Sequence, residues 1–190
     1  MKKIVLFGDS LAAGYYEGAS TNMLDEITIK ELTGMGFPGY QIVNLGVPGE
    51  TSAEGLNRVD QAVAENPDFV AIMLGSNDSL NQSATPEEYA KTMKQIIGKF
   101  PAEKVIILSP SYVDEQVCAD GNNQRQQEYV AALKEAAGEM GVNMIDLYHH
   151  MTVYPVPTEF LGSDGLHPSE EGYDFIGALI ARDIKNKLLG

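Results

Sequence analysis

The stretch Leu6-Phe7-Gly8-Asp9-Ser10-Leu11 sets a serine directly after the first apolar run of the chain. A serine hydroxyl is a weak nucleophile at neutral pH. It acts only beside a base that takes its proton and a third group that orients the base. Of the three histidines, His167 stands in Ser163-Asp164-Gly165-Leu166-His167-Pro168, three residues after an aspartate. Residues i and i+3 of a tight turn come within about 7 Å at their Cα atoms, so Asp164 can reach His167 inside one turn. Base and orienter are then assembled locally, and the fold has only to deliver Ser10. Acyl transfer also needs donors aimed at the developing oxyanion, each worth roughly 10²- to 10³-fold in rate. Gly46, with no side chain, offers a backbone N–H, Asn77 a side-chain N–H, and Ser10 its own N–H.

These residues must be carried to one place by the elements around them. Apolar runs at 3–7, 40–45, 69–74, 104–108 and 142–147 recur with helix-length gaps, as expected for strands buried on both faces. Thr51-Ser52-Ala53-Glu54 and Thr85-Pro86-Glu87-Glu88 are capping-box patterns, the second with proline at the first helical position. Apolar stripes follow at Leu56, Val59 and Val63, at Tyr89, Met93, Ile96 and Ile97, at Tyr129, Leu133 and Ala136, and at Tyr173, Ile176, Ile180 and Ile184. The helical signal at 21–32 is weaker. Alternating strand and helix predict an α/β fold with a parallel sheet covered on both faces. Ligands of such sheets sit outside the carboxyl ends of the strands. Four of the runs end in small polar residues: Gly8-Asp9-Ser10, Gly46, Gly75-Ser76-Asn77-Asp78 and Ser109-Pro110-Ser111. All should converge on one rim. The length suits one domain spanning residues 1–190.

Gly8-Asp9-Ser10-Leu11, Gly46, Gly75-x-Asn77-Asp78 and Asp164-x-x-His167, in that order, resemble the blocks of the SGNH, or GDSL, hydrolase family. The resemblance implies a three-layer α/β/α sandwich with a five-stranded parallel sheet in the flavodoxin-like order 2-1-3-4-5. It also implies a Ser10-His167-Asp164 triad, an oxyanion hole from Ser10, Gly46 and Asn77, and hydrolysis of esters or thioesters without metal or organic cofactor. The α/β-hydrolase elbow Gly-x-Ser-x-Gly is absent, since Ala12 holds its last position.

A net charge of −14 disfavours nucleic acid and anionic lipid as partners. No stretch approaches the ~20 apolar residues of a membrane span, and the apolar run behind Lys2-Lys3 is too short for a secretory leader. A single cysteine, Cys118, excludes an internal disulfide. A soluble cytoplasmic protein is expected. Asp9 and Asp78 fit structural roles on backbone N–H groups. His149 and His150 are adjacent, lack a His-Glu-x-x-His pattern, and fit surface or strand-end positions. Gly34-x-Gly36-x-x-Gly39 precedes a strand instead of following one, so it reads as a loop. Residues 120–123 resemble the start of a calcium loop, but Arg125 stands where that loop needs glycine. The expected function is a serine esterase or acylhydrolase acting on small to medium acyl esters, with thioesterase or lysophospholipase activity in range. A carbohydrate O-acetylesterase is the rival enzyme reading, and a non-catalytic ligand-binding protein of the same fold the rival outside enzymes.

Overall fold

The computed structural model describes residues Met1 to Gly190. The first apolar run forms β1 (Lys2–Gly8), and a short hairpin, β2 (Tyr15–Tyr16) and β3 (Ala19–Ser20), follows before α1 (Met23–Gly34). Next come β4 (Tyr40–Gly46), α2 (Ser52–Ala64), β5 (Phe69–Met73), the short α3 (Ser76–Asn81) and α4 (Pro86–Ile97). The chain continues through β6 (Val105–Leu108), α5 (Asn123–Met140), β7 (Asn143–Ile145), α6 (Leu147–Thr152) and α7 (Glu170–Leu189). The five long-range strands pair in parallel in the order β4-β1-β5-β6-β7. Counted among themselves, they run 2-1-3-4-5, as the motif resemblance implied.

Alternation along β1 divides the interior into two layers. Ile4 and Leu6 pack with Leu24 and Leu32 of α1 and Tyr173, Ile176 and Ile180 of α7. Val5 and Phe7 pack with Val59 of α2, Met93 and Ile96 of α4, and Leu133 of α5. All four β1 side chains are fully buried, and each such burial is worth about 1.5–3 kcal/mol. Both capping boxes form, Thr51 with Glu54 and Thr85 with Glu88, and they start α2 and α4.

Two local features differ from the sequence reading, and a third, weakly signalled, is present. The hairpin lies in a segment to which the sequence pattern assigned no strand. Its two-residue loop, Glu17-Gly18, has positive φ at both positions, +48° and +91°, the conformation that suits the twist of paired strands. The fifth run stops at Ile145, because Asp146 accepts a hydrogen bond from the His149 N–H at 3.0 Å and turns the chain into α6. His149 and His150 are therefore helical, not strand-end, residues. The weakly signalled first helix exists but has no side-chain N-cap. It is held by packing on α7, where Gly177 lets Ile27 approach so closely that a Cβ would stand 2.5 Å from its Cγ2.

Candidate active site

β1 ends in a tight turn that presents Ser10. The Asp9 N–H donates to Met73 O of β5 at 3.0 Å, Ala13 N–H donates to Asp9 O, and the Asp9 carboxylate accepts from Leu11 N–H at 2.9 Å. Asp9 itself is buried. The nucleophile candidate is thus pinned from both sides while its hydroxyl faces out of the turn. Its backbone N–H has no acceptor within the chain.

The base turn is built separately, between the last two helices. Asp164 Oδ1 accepts from the N–H groups of Leu166 and His167, both at 3.0 Å, and Oδ2 lies 2.6 Å from His167 Nδ1. Gly162 N–H closes the loop on His167 O at 2.7 Å. Gly165 has φ +68°, and a Cβ there would stand 3.0 Å from the Cβ atoms of Asp114 and Val117, so the turn needs glycine. Asp114 N–H donates to Gly165 O at 2.8 Å and ties the turn to the loop after β6. Desolvation pushes the Asp164 carboxyl up, but its bond with His167 and the two backbone N–H groups outweigh this and hold it below the ordinary range. With its proton on Nδ1, His167 donates to that carboxylate and leaves Nε2 to accept from Ser10 Oγ, 3.1 Å away. The structure therefore brings together Ser10, His167 and Asp164.

Asn77 also reaches this place. It sits on α3 and lines a recess with Ser10, Leu80, Ser111, Leu166 and His167. Its side-chain Nδ2 donates to Glu50 O at 2.9 Å and lies 3.4 Å from Asp9 Oδ2. Asp78 fixes α3 to the start of α2 by accepting from both the N–H and the hydroxyl of Ser52. Both aspartates bind backbone N–H groups, as their loop positions suggested. Glu50 is clamped by Arg58, whose guanidinium also reaches Gly8 O at 3.2 Å, so the turn after β4 is tied to the end of β1.

Gly46 does not serve as expected. Its N–H donates to Asn44 Oδ1 at 2.9 Å, and its Cα packs so closely on the Ser10 turn that a Cβ would stand 2.2 Å from Ala13 N. It is a contact glycine at the end of β4, and its N–H, expected as an oxyanion donor, already has an acceptor. Gly49, three residues on, was not among the expected donors. It has φ +83°, is exposed, and its N–H has no acceptor within the chain. It precedes Glu50, whose carbonyl the Asn77 amide holds. Cys118 is half-buried in the loop between β6 and α5 and does not line the recess.

Comparison with known proteins places this geometry in context. The GDSL-like lipase/acylhydrolase family matches residues 6–175. The crystal structure of the lipase/acylhydrolase from Enterococcus faecalis superposes with a TM-score of 0.93 at 38% identity, covering 98% of this chain and 97% of that one. Thioesterase 1/protease 1/lysophospholipase L1 of Escherichia coli (strain K12) is 25% identical over 96% of this chain and 83% of its own length. Acetylxylan esterase of Geobacillus stearothermophilus is 27% identical over 77% of this chain and 73% of its own.

Proposed function

The chain belongs to the GDSL-like lipase/acylhydrolase family and is an ester-hydrolysing enzyme, and from that premise we propose that Ser10, His167 and Asp164 carry its reaction through an acyl-enzyme. The observation that carries the proposal is the continuous relay from Asp164 Oδ2 through the imidazole to Ser10 Oγ, at 2.6 and 3.1 Å. Ser10 Oγ attacks the ester carbonyl carbon while its proton passes to His167 Nε2. The tetrahedral intermediate collapses, the bond from carbon to the alcohol oxygen breaks, and Nε2 returns the proton to that oxygen. Water then attacks the acyl-Ser10 ester by the same route. Asp164 holds the tautomer and stabilises the imidazolium throughout.

The oxyanion forms where donors are available: the Ser10 N–H, the Asn77 amide, and the Gly49 N–H in the place first given to Gly46. The backbone N–H groups of Ser10 and Gly49 have no acceptor within the chain, and the bond from the Asn77 amide to the Glu50 carbonyl holds Asn77 beside the loop that carries Gly49; both support this set. Residues 1–190 act as one functional unit, because the nucleophile follows the first strand and the base precedes the last helix. A cytoplasmic setting belongs to the same reading, supported by the unpaired Cys118. No helix is long and apolar enough to cross a membrane.

The recess beside Ser10 and Asn77 has a volume of about 20 Å³, room for one water-sized group. A short acyl chain fits it best, which also favours the O-acetylesterase reading. Hydrolysis of p-nitrophenyl esters from acetate to long acyl chains, with Ser10→Ala in parallel, tests both points. Turnover should be highest for acetate, fall as the chain lengthens, and vanish in Ser10→Ala. Full activity in the variant would remove Ser10 from the mechanism.

A further inference from the structure

Two cavities meet at His167. One is the small recess described above. The other lies between the β2–β3 hairpin and the base turn, has a volume of about 390 Å³, and is lined by Tyr15, Tyr16, Glu17, Ser163, Asp164 and Ser169. Resting on the serine-esterase reading, we propose that this groove is the subsite for the alcohol half of the ester, and that it admits uncharged and cationic alcohols and disfavours anionic ones.

The assignment follows from the proton's path. Nε2 must hand its proton to the departing alcohol oxygen, so that oxygen and what it carries lie beside the imidazole. Once the carbonyl oxygen turns toward Asn77 and the acyl group occupies the recess, the groove is a second cavity touching His167, with room for another group. Its wall is anchored to the base: the Tyr15 ring packs on the imidazole with centroids 4.5 Å apart, and Tyr173 OH donates to Tyr15 O at 2.8 Å. The hairpin is also tied to the start of α7 through Tyr16 OH and Glu170 Oε1, 3.4 Å apart.

The chemistry of the lining sets the charge preference. Tyrosine faces attract cations, and Glu17 and Asp164 stand in the groove with Glu170 across Tyr16. No lysine or arginine lines it. Desolvation, together with the charges of Glu17, Glu170 and Glu171, pushes the Tyr16 hydroxyl above its ordinary pKa, a sign of the negative field there. A sulfonate or phosphate on the alcohol would meet that field with no counter-charge. A hydroxyl-rich or ammonium-bearing alcohol would find acceptors and ring faces.

Three acetate esters test this: phenyl acetate, 3-(trimethylammonio)phenyl acetate and 4-acetoxybenzenesulfonate. Each kcat/KM is divided by the spontaneous hydrolysis rate of the same ester, which removes intrinsic leaving-group reactivity. The cationic ester should exceed the anionic one by about three- to ten-fold at low salt, and the ratio should shrink at high salt. The double variant Glu17→Gln, Glu170→Gln alters exposed side chains and should reduce the ratio, leaving the smaller preference that the tyrosine faces and Asp164 supply. Ser10-dependent hydrolysis with equal normalised rates, or a ratio indifferent to the double variant, overturns the groove assignment and leaves the esterase standing. Absence of Ser10-dependent hydrolysis on all three esters overturns both.

Discussion

Asp164 uses its two oxygens differently. Oδ1 shapes the turn by accepting from Leu166 and His167 N–H, and Oδ2 holds the imidazole. Asp164→Asn can keep the first role through its amide oxygen but presents an NH₂ to Nδ1. The imidazole must then carry its proton on Nε2, where it can no longer accept from Ser10. A fall of about 10⁴-fold in kcat is expected, with the melting temperature nearly unchanged. Steady-state kinetics beside a thermal melt would check this, and a large loss of stability would mean that the turn itself had collapsed. Because the Asp164 carboxyl titrates below the ordinary range, it stays ionised as pH falls from neutral.

The elements deliver the site through contacts of two kinds, and only one kind was legible beforehand. The buried strands and both capping boxes are written in neighbouring residues, and so is the Asp164-x-x-His167 turn, whose partners lie within four positions. The hairpin was not legible, because its loop places Glu17 at positive φ, where glycine, asparagine or aspartate is the usual signal. Gly46, the last residue of β4, and Gly49, in the connection to α2, stand three apart. What separates them is the Asn44 side chain and the backbone at Ala13, and the second contact is visible only in the folded chain. Substitution separates them too. In Gly46→Ala the new Cβ meets backbone at 2.2 Å, so a loss of roughly 3 kcal/mol or more is expected. Gly49→Ala has open space around it but φ +83°, so it should lose only about 1–2 kcal/mol. Denaturant unfolding of the two variants measures the difference, and equal losses would contradict the packing role of Gly46.

At the scale of the molecule, one buried charge ties folding to pH. Burial, with Asp78 and Glu50 adding to it against the bond from Leu11 N–H, raises the Asp9 carboxyl from 3.8 to about 7. Between those values the folded chain keeps a proton that the unfolded chain has released. Stability from this group is therefore fullest below the lower value, falls as pH rises, and levels off above about 7, a change on the order of 4 kcal/mol. Asp9→Asn should flatten that part of the profile, so its stability relative to the parent chain should rise across the window. A parallel decline in both proteins would assign the effect to other groups. The same molecule is completed late. Ser10 and His167 are 157 positions apart, and at synthesis rates of roughly 5–20 residues per second the base is made about eight to thirty seconds after the nucleophile. A nascent chain that already displays its serine has no partner to activate it, so the growing polypeptide is chemically silent toward esters until the base turn and α7 have been made and docked.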